Sequence, residues 1–148
     1  MPSKTIAIAN DHGGFDLKNE LVKEITNLGF AVLDLGSDST EAVDYPDFGY
    51  AMATAIAEGK ATRGVLVCGS GIGISIAANR YPAIRAALIH DALGAKLSRL
   101  HNNANVIAFG GRTIGTDTAL DCLKVFLETD FETADRHTRR VDKLSNPE

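Results

Sequence analysis

Apolar positions along the chain switch repeatedly between two periods. Thr5 to Ala9 is a short run of β-branched and apolar residues and reads as a strand. Beyond Asn10-Asp11-His12-Gly13-Gly14 the spacing changes: Leu17, Leu21, Val22, Ile25 and Leu28 share one helical face, and Gly29 follows as a C-cap. Phe30 to Leu35 is a second strand. A polar, turn-rich stretch from Gly36 to Asp47 leads to a helix with Phe48, Ala51, Met52, Ala55 and Ile56 on one face, ended by Gly59. Gly64 to Cys68 is continuously apolar, as in a strand covered on both faces. After Gly69-Ser70-Gly71-Ile72-Gly73 come a helix over Ile74 to Arg80 and a strand over Ile84 to Ile89. A helix from Asp91 to His101 follows, with Leu93, Leu97 and Leu100 on one side. Asn105 to Phe109 is a fifth strand; Thr116 to Leu127 and Glu132 to Leu144 are the last helices.

Strands alternating with helices imply an open, mostly parallel α/β sheet with helices on both faces. In such sheets ligands bind beyond the carboxyl ends of the strands. That rule selects Asn10 to Gly14, Cys68 to Gly73, His90-Asp91 and Gly110 to Arg112. The 148 residues suit one domain, so a deep site would need help from a second subunit. A net charge of −4 argues against general nucleic-acid binding, and no apolar run is long enough to span a membrane. Two distant cysteines with no CxxC spacing argue against a disulfide framework and a cysteine zinc site. The expectation is a cytoplasmic protein.

The glycine-rich turn after Cys68 is the strongest local signal. Glycines let the backbone approach a ligand closely, and the following helix start offers unpaired N–H groups to an anion or a developing oxyanion. The turn also fits a tight strand-to-helix connection. A third reading is a dinucleotide fingerprint with Asp91 as the ribose-binding acid, but that leaves little chain for a second substrate. Cys68, next to the helix start, is a candidate base or nucleophile, whereas Cys122 inside a helix reads as a buried apolar residue. Asp11 and His12 are either a cap and a surface imidazole or a polar pair facing the crevice. Arg136 and Arg140 share a helical face and could clamp a phosphate or simply be solvated. Arg112 is a further cation, and His101-Asn102 lies in a turn whose reach to the crevice does not follow from topology.

Taken together, Asp11-His12-Gly13, Asp44-Tyr45-Pro46, the string Cys68-Gly69-Ser70-Gly71-Ile72-Gly73-Ile74-Ser75-Ile76-Ala77-Ala78-Asn79, His101-Asn102, Phe109-Gly110-Gly111-Arg112 and Arg136-His137-x-x-Arg140-Val141 resemble, in this order, type B ribose-5-phosphate isomerases. The broader family includes galactose-6-phosphate isomerase subunits. The resemblance covers about Ile6 to Leu144 and implies a Rossmann-like three-layer α/β/α fold with a five-stranded parallel sheet. It also implies aldose–ketose isomerisation through an enediolate without a metal or cofactor, in a homodimer or dimer of dimers with shared active sites. By resemblance Cys68 is the base and His101 the acid. The N–H groups of Gly69, Ser70, Gly71, Ile72 and Gly73, with Asn102, face the enediolate. Asp11 binds sugar hydroxyls, Tyr45 lines the pocket, and His12, Arg112, Arg136 and Arg140 hold the phosphate. One branch of the family has a glutamate just after the turn; Ile74 stands there, so the likeness is to the cysteine branch. The sugar stays open between ribose 5-phosphate and a hexose or tetrose phosphate, and a non-catalytic binding module is a further alternative.

Overall fold

Five apolar runs pair side by side into one wholly parallel sheet in the order β2-β1-β3-β5-β4. The computed structural model describes residues 4–147. The elements are β1 (Thr5–Asn10), α1 (Phe15–Asn27), β2 (Ala31–Asp34), α2 (Tyr45–Ala57), β3 (Arg63–Cys68), α3 (Ile72–Ala78), β4 (Ala86–Leu88), α4 (Ala92–Leu100), β5 (Val106–Gly110), α5 (Thr116–Glu128) and α6 (Asp135–Ser145). One 3-10 turn over His12–Gly14 joins β1 to α1.

Successive side chains of a strand point to opposite faces, and β3 shows what this does to a continuous apolar run. Val65 and Val67 enter a core with Leu17, Leu21 and Ile25 of α1 and Leu123 and Phe126 of α5. Leu66 and Cys68 enter the other, with Met52 and Ala53 of α2 and Ile74 and Ala78 of α3. Helices thus cover both faces, giving the expected three-layer α/β/α arrangement. Gly14 is needed for close packing: a Cβ there would lie 2.7 Å from the Val67 carbonyl carbon.

The structure corrects several expected boundaries and faces. The last helix begins at Asp135, not near Glu132, because the Glu132 N–H is taken by Leu100 O at 3.1 Å and holds that stretch extended. The helix after the glycine turn starts at Ile72 rather than Ile74. The fourth strand shrinks to Ala86–Leu88. Asn105 stands before β5, where its amide accepts from Arg85 N–H at 2.8 Å and donates to Ala83 O at 2.7 Å. On α4 the leucine stripe faces outward: Leu93 is 65% and Leu97 36% exposed, while Ala95, Ser98 and Arg99 face inward. No helix among the described residues is long and apolar enough to cross a membrane.

Candidate active site

The chain leaves β1 for β2 on one side and returns to β3 on the other. The crevice between the ends of β1 and β3 is therefore a switch point of the kind that binds ligands. Asp11 and Cys68 flank it. Asp11 is 6% exposed, and its Oδ1 accepts the Gly13 N–H at 2.8 Å, so the carboxylate caps the 3-10 turn. Cys68 is 4% exposed, and its Sγ accepts the Gly71 N–H at 3.1 Å. Gly71 has φ +77°, and a Cβ there would lie 2.6 Å from Leu88 Cδ1 and 2.8 Å from the Phe109 carbonyl carbon. Only glycine fits this left-handed, crowded position. Two bonds from the end of β5 pin the turn: Gly111 N–H to Cys68 O at 2.8 Å and Arg112 N–H to Gly69 O at 2.9 Å.

These contacts shape an open hollow of about 570 Å³. Asp11, Cys68, Gly69, Ser70, Ile72, Gly73 and Arg112 line it, as their places at or just beyond strand ends predict, and so does Tyr45, expected there from the family resemblance. Ile76 and Thr113 also line it and were not foreseen, although Ile76 lies one helical turn beyond Ile72, which flags it. Gly71 sits at the foot of the turn with its N–H directed at the sulfur. The Ile72 N–H is likewise engaged, by Ser70 Oγ at 3.2 Å. His12 turns to the long loop, its Nδ1 accepting the Val43 N–H at 3.2 Å.

The other predicted site residues lie elsewhere in the chain. His101 caps the C-terminus of α4, and Asn102 lines a separate hollow with Asn79, Arg85 and Leu144. Arg136 and Arg140 are exposed on α6. The His101 ring stacks on His137, a motif residue with no role expected of it, with centroids 4.6 Å apart and planes 9° from parallel. Burial, then the nearby Arg136, His101 and Arg140, hold the His137 imidazole below its ordinary value, with Glu132 opposing. Asp91, the ribose acid of the dinucleotide reading, is instead the N-cap of α4, its Oδ1 accepting the Gly94 N–H at 2.6 Å. Cys122 is fully buried, and burial first, then Asp121 and Asp91, push its thiol up, so it stays neutral and inert.

His101, Glu132 and His137 each bring a ligand atom within 4.8 Å of the others. Imidazole lone pairs lie in the ring plane, and one ion cannot lie in two nearly parallel planes stacked in this way. The stacked rings therefore do not suit a metal ion.

The sequence profile of the Ribose/Galactose Isomerase family matches residues 6–144. The chain belongs to the ribose/galactose isomerase family. Within that family it is 42% identical over 142 residues to ribose-5-phosphate isomerase B of Escherichia coli (strain K12), covering 96% of this chain and 95% of that one. It is 43% identical over 129 residues to D-erythrulose-4-phosphate isomerase of Pectobacterium atrosepticum, covering 86% of this chain and 85% of the relative. The solved structure of type B ribose 5-phosphate isomerase from Trypanosoma brucei superimposes with a TM-score of 0.95 at 43% identity, covering 100% of both chains. The α/β fold is thus that of this isomerase family.

Proposed function

We propose that the protein interconverts ribose 5-phosphate and ribulose 5-phosphate in a site completed by a second copy of the chain. One observation carries this reading: Cys68 lies at the floor of a hollow that also holds Asp11, Tyr45 and Arg112, at the switch point of a ribose/galactose isomerase fold. The Cys68 thiolate removes the proton on C2. The electrons of that bond form the C1–C2 double bond, and the charge moves to O1. Returning a proton to C1 and passing one from O2 to O1 completes the ketose. His101 supplies and accepts protons at oxygen and opens the sugar ring. Asn102 and the N–H groups of Gly69, Ser70 and Gly73 stabilise the enediolate, while those of Gly71 and Ile72 hold Cys68 Sγ and Ser70 Oγ. Asp11 holds sugar hydroxyls beside Tyr45, and His12, Arg112, Arg136 and Arg140 hold the phosphate.

A shared site is supported by the absence of His101 and Asn102 from the hollow that Cys68 lines in the same chain. Exposed apolar side chains support it: Ile72 and Ile76 beside the hollow are 52% and 51% exposed, and Leu93 on α4 is 65% exposed. We infer a homodimer, alone or paired as a dimer of dimers, in which the partner's α4 end and α6 approach the Cys68 hollow. The chain forms one domain and works in the cytoplasm.

The relative that acts on D-erythrulose 4-phosphate favours a second reading, a tetrose phosphate substrate. The deciding experiment is a panel of ribose, erythrulose and galactose phosphates ranked by kcat/KM, with exchange of the transferred proton (on C2 of an aldose, C1 of a ketose) against solvent deuterium. The pentose phosphate is expected to rank first with exchange at C2. A higher tetrose rank supports the second reading, and binding without exchange would leave only a binding module.

A further inference from the structure

At the opposite end of the sheet, the amino ends of the strands gather cations that the catalytic reading does not use. Lys4 stands before β1, Arg63 opens β3, Arg85 precedes β4, and Arg99 reaches in from α4. All four line one hollow of about 550 Å³. Among the described residues Asp130 is the sole acidic side chain on its walls, and that carboxylate is 99% exposed and 3.8 Å from Arg63 Nη2. In a chain with a net charge of −4 this is a marked local excess of positive charge.

Each guanidinium is held by part of its donor set and keeps the rest. Arg63 Nη1 donates to Leu127 O at 2.9 Å and Phe126 O at 3.2 Å. Arg85 Nε donates to Asn103 O at 2.8 Å, and its two terminal nitrogens engage no acceptor among the described residues. Arg99, 5% exposed, uses Nε on Thr129 O at 3.0 Å and Nη1 on Asn103 Oδ1 at 2.9 Å and Ala104 O at 2.6 Å. Its Nη2 is free among the described residues. Fixed in this way, the side chains lose little further freedom on binding a ligand. Burial, with the neighbouring Arg63 and Arg85, brings Arg99 down to about 10, a value at which it still carries its charge at neutral pH. The three cations repel one another, and an anion among them would relieve that repulsion.

We propose that this hollow is a second anion site that takes a compact, multiply charged phosphate such as a pyrophosphate group. A tetrahedral phosphate presents oxygens in several directions, so forks from three arginines can converge on it. A planar carboxylate matches a single fork.

The test is calorimetric titration of inorganic pyrophosphate into the full chain, with citrate in a parallel arm. Arg85→Gln removes two free terminal donors, while its amide can still reach Asn103 O. Binding is expected to weaken at least about tenfold in that variant and to persist in Arg140→Ala, which alters the proposed catalytic clamp. Lys4→Gln, ahead of the first strand, carries the same test if Arg85→Gln lowers the melting temperature, and should also weaken binding. Equal affinity in wild type and the hollow variants, loss of all binding in Arg140→Ala, absence of binding, or a preference for citrate would each overturn the proposal.

Discussion

The imidazoles of His101 and His137 lie face to face, 4.6 Å between centroids, and His137 Nε2 is buried without a hydrogen-bond partner, 3.6 Å from Glu132 Oε2. The stack ties the end of α4 to α6. It joins the proposed acid to the helix that carries the proposed phosphate clamp. His137 is held in its neutral form by burial, by Arg136, by His101 and by Arg140, against the pull of Glu132.

This gives a pH prediction with a definite sign. The folded-state value of His137 lies below its ordinary 6.5, so as pH falls through that value the unfolded chain takes up the proton first. Stability should therefore fall between the unfolded value and the depressed folded one. Melting temperatures between pH 7.5 and 5.5 should drop more steeply for wild type than for His137→Gln. Parallel slopes would contradict the buried neutral imidazole.

Cys68→Ala should fold normally and lose at least about 100-fold in kcat, the lower end for removing a general base. The side chain is small and its loss leaves the Gly111 N–H to Cys68 O bond intact. Turnover is read with ribose 5-phosphate, alongside the melting temperature. Near-wild-type turnover would remove Cys68 from the mechanism.

The hollow around Cys68 was legible because strand ends are local features: an apolar run stops, glycines follow, and the sheet rule says which end faces ligand. The outward stripe of α4 was not. Periodicity marks an apolar face without saying what it meets. Here the inward place goes to Arg99, whose burial is offset by Thr129 O, Ala104 O and Asn103 Oδ1. Contacts such as His12 to Val43 and His101 to His137 join segments distant in sequence, and no spacing rule reaches them. The start of α6 was misplaced for the same reason, since a bond to Leu100 keeps Glu132 out of the helix.

Gly71→Ala tests the turn itself. At φ +77° an alanine is strained, and its methyl would meet Leu88 and the backbone of Phe109. A loss of about 1–3 kcal/mol is expected for a strained left-handed residue, read by urea unfolding. Because the Gly71 N–H holds Cys68 Sγ, kcat should fall as well. Unchanged stability and turnover would show that the turn relaxes without cost.

The arrangement across subunits has its own signature. If a site takes Cys68 from one copy and His101 from the other, Cys68→Ala and His101→Asn homodimers are each inactive, because every site lacks one group. In a mixed dimer one site carries both lesions, and the other joins an intact Cys68 to an intact His101. Random exchange of equal amounts makes half the dimers mixed, so about a quarter of wild-type activity should return on a two-fold symmetric scheme. Assay before and after a brief exposure to mild urea, which promotes exchange, reads this directly. Exchange confirmed by mass spectrometry without any recovery would place Cys68 and His101 in the same subunit's site. The stacked His101–His137 pair would then have to move towards the hollow of its own chain.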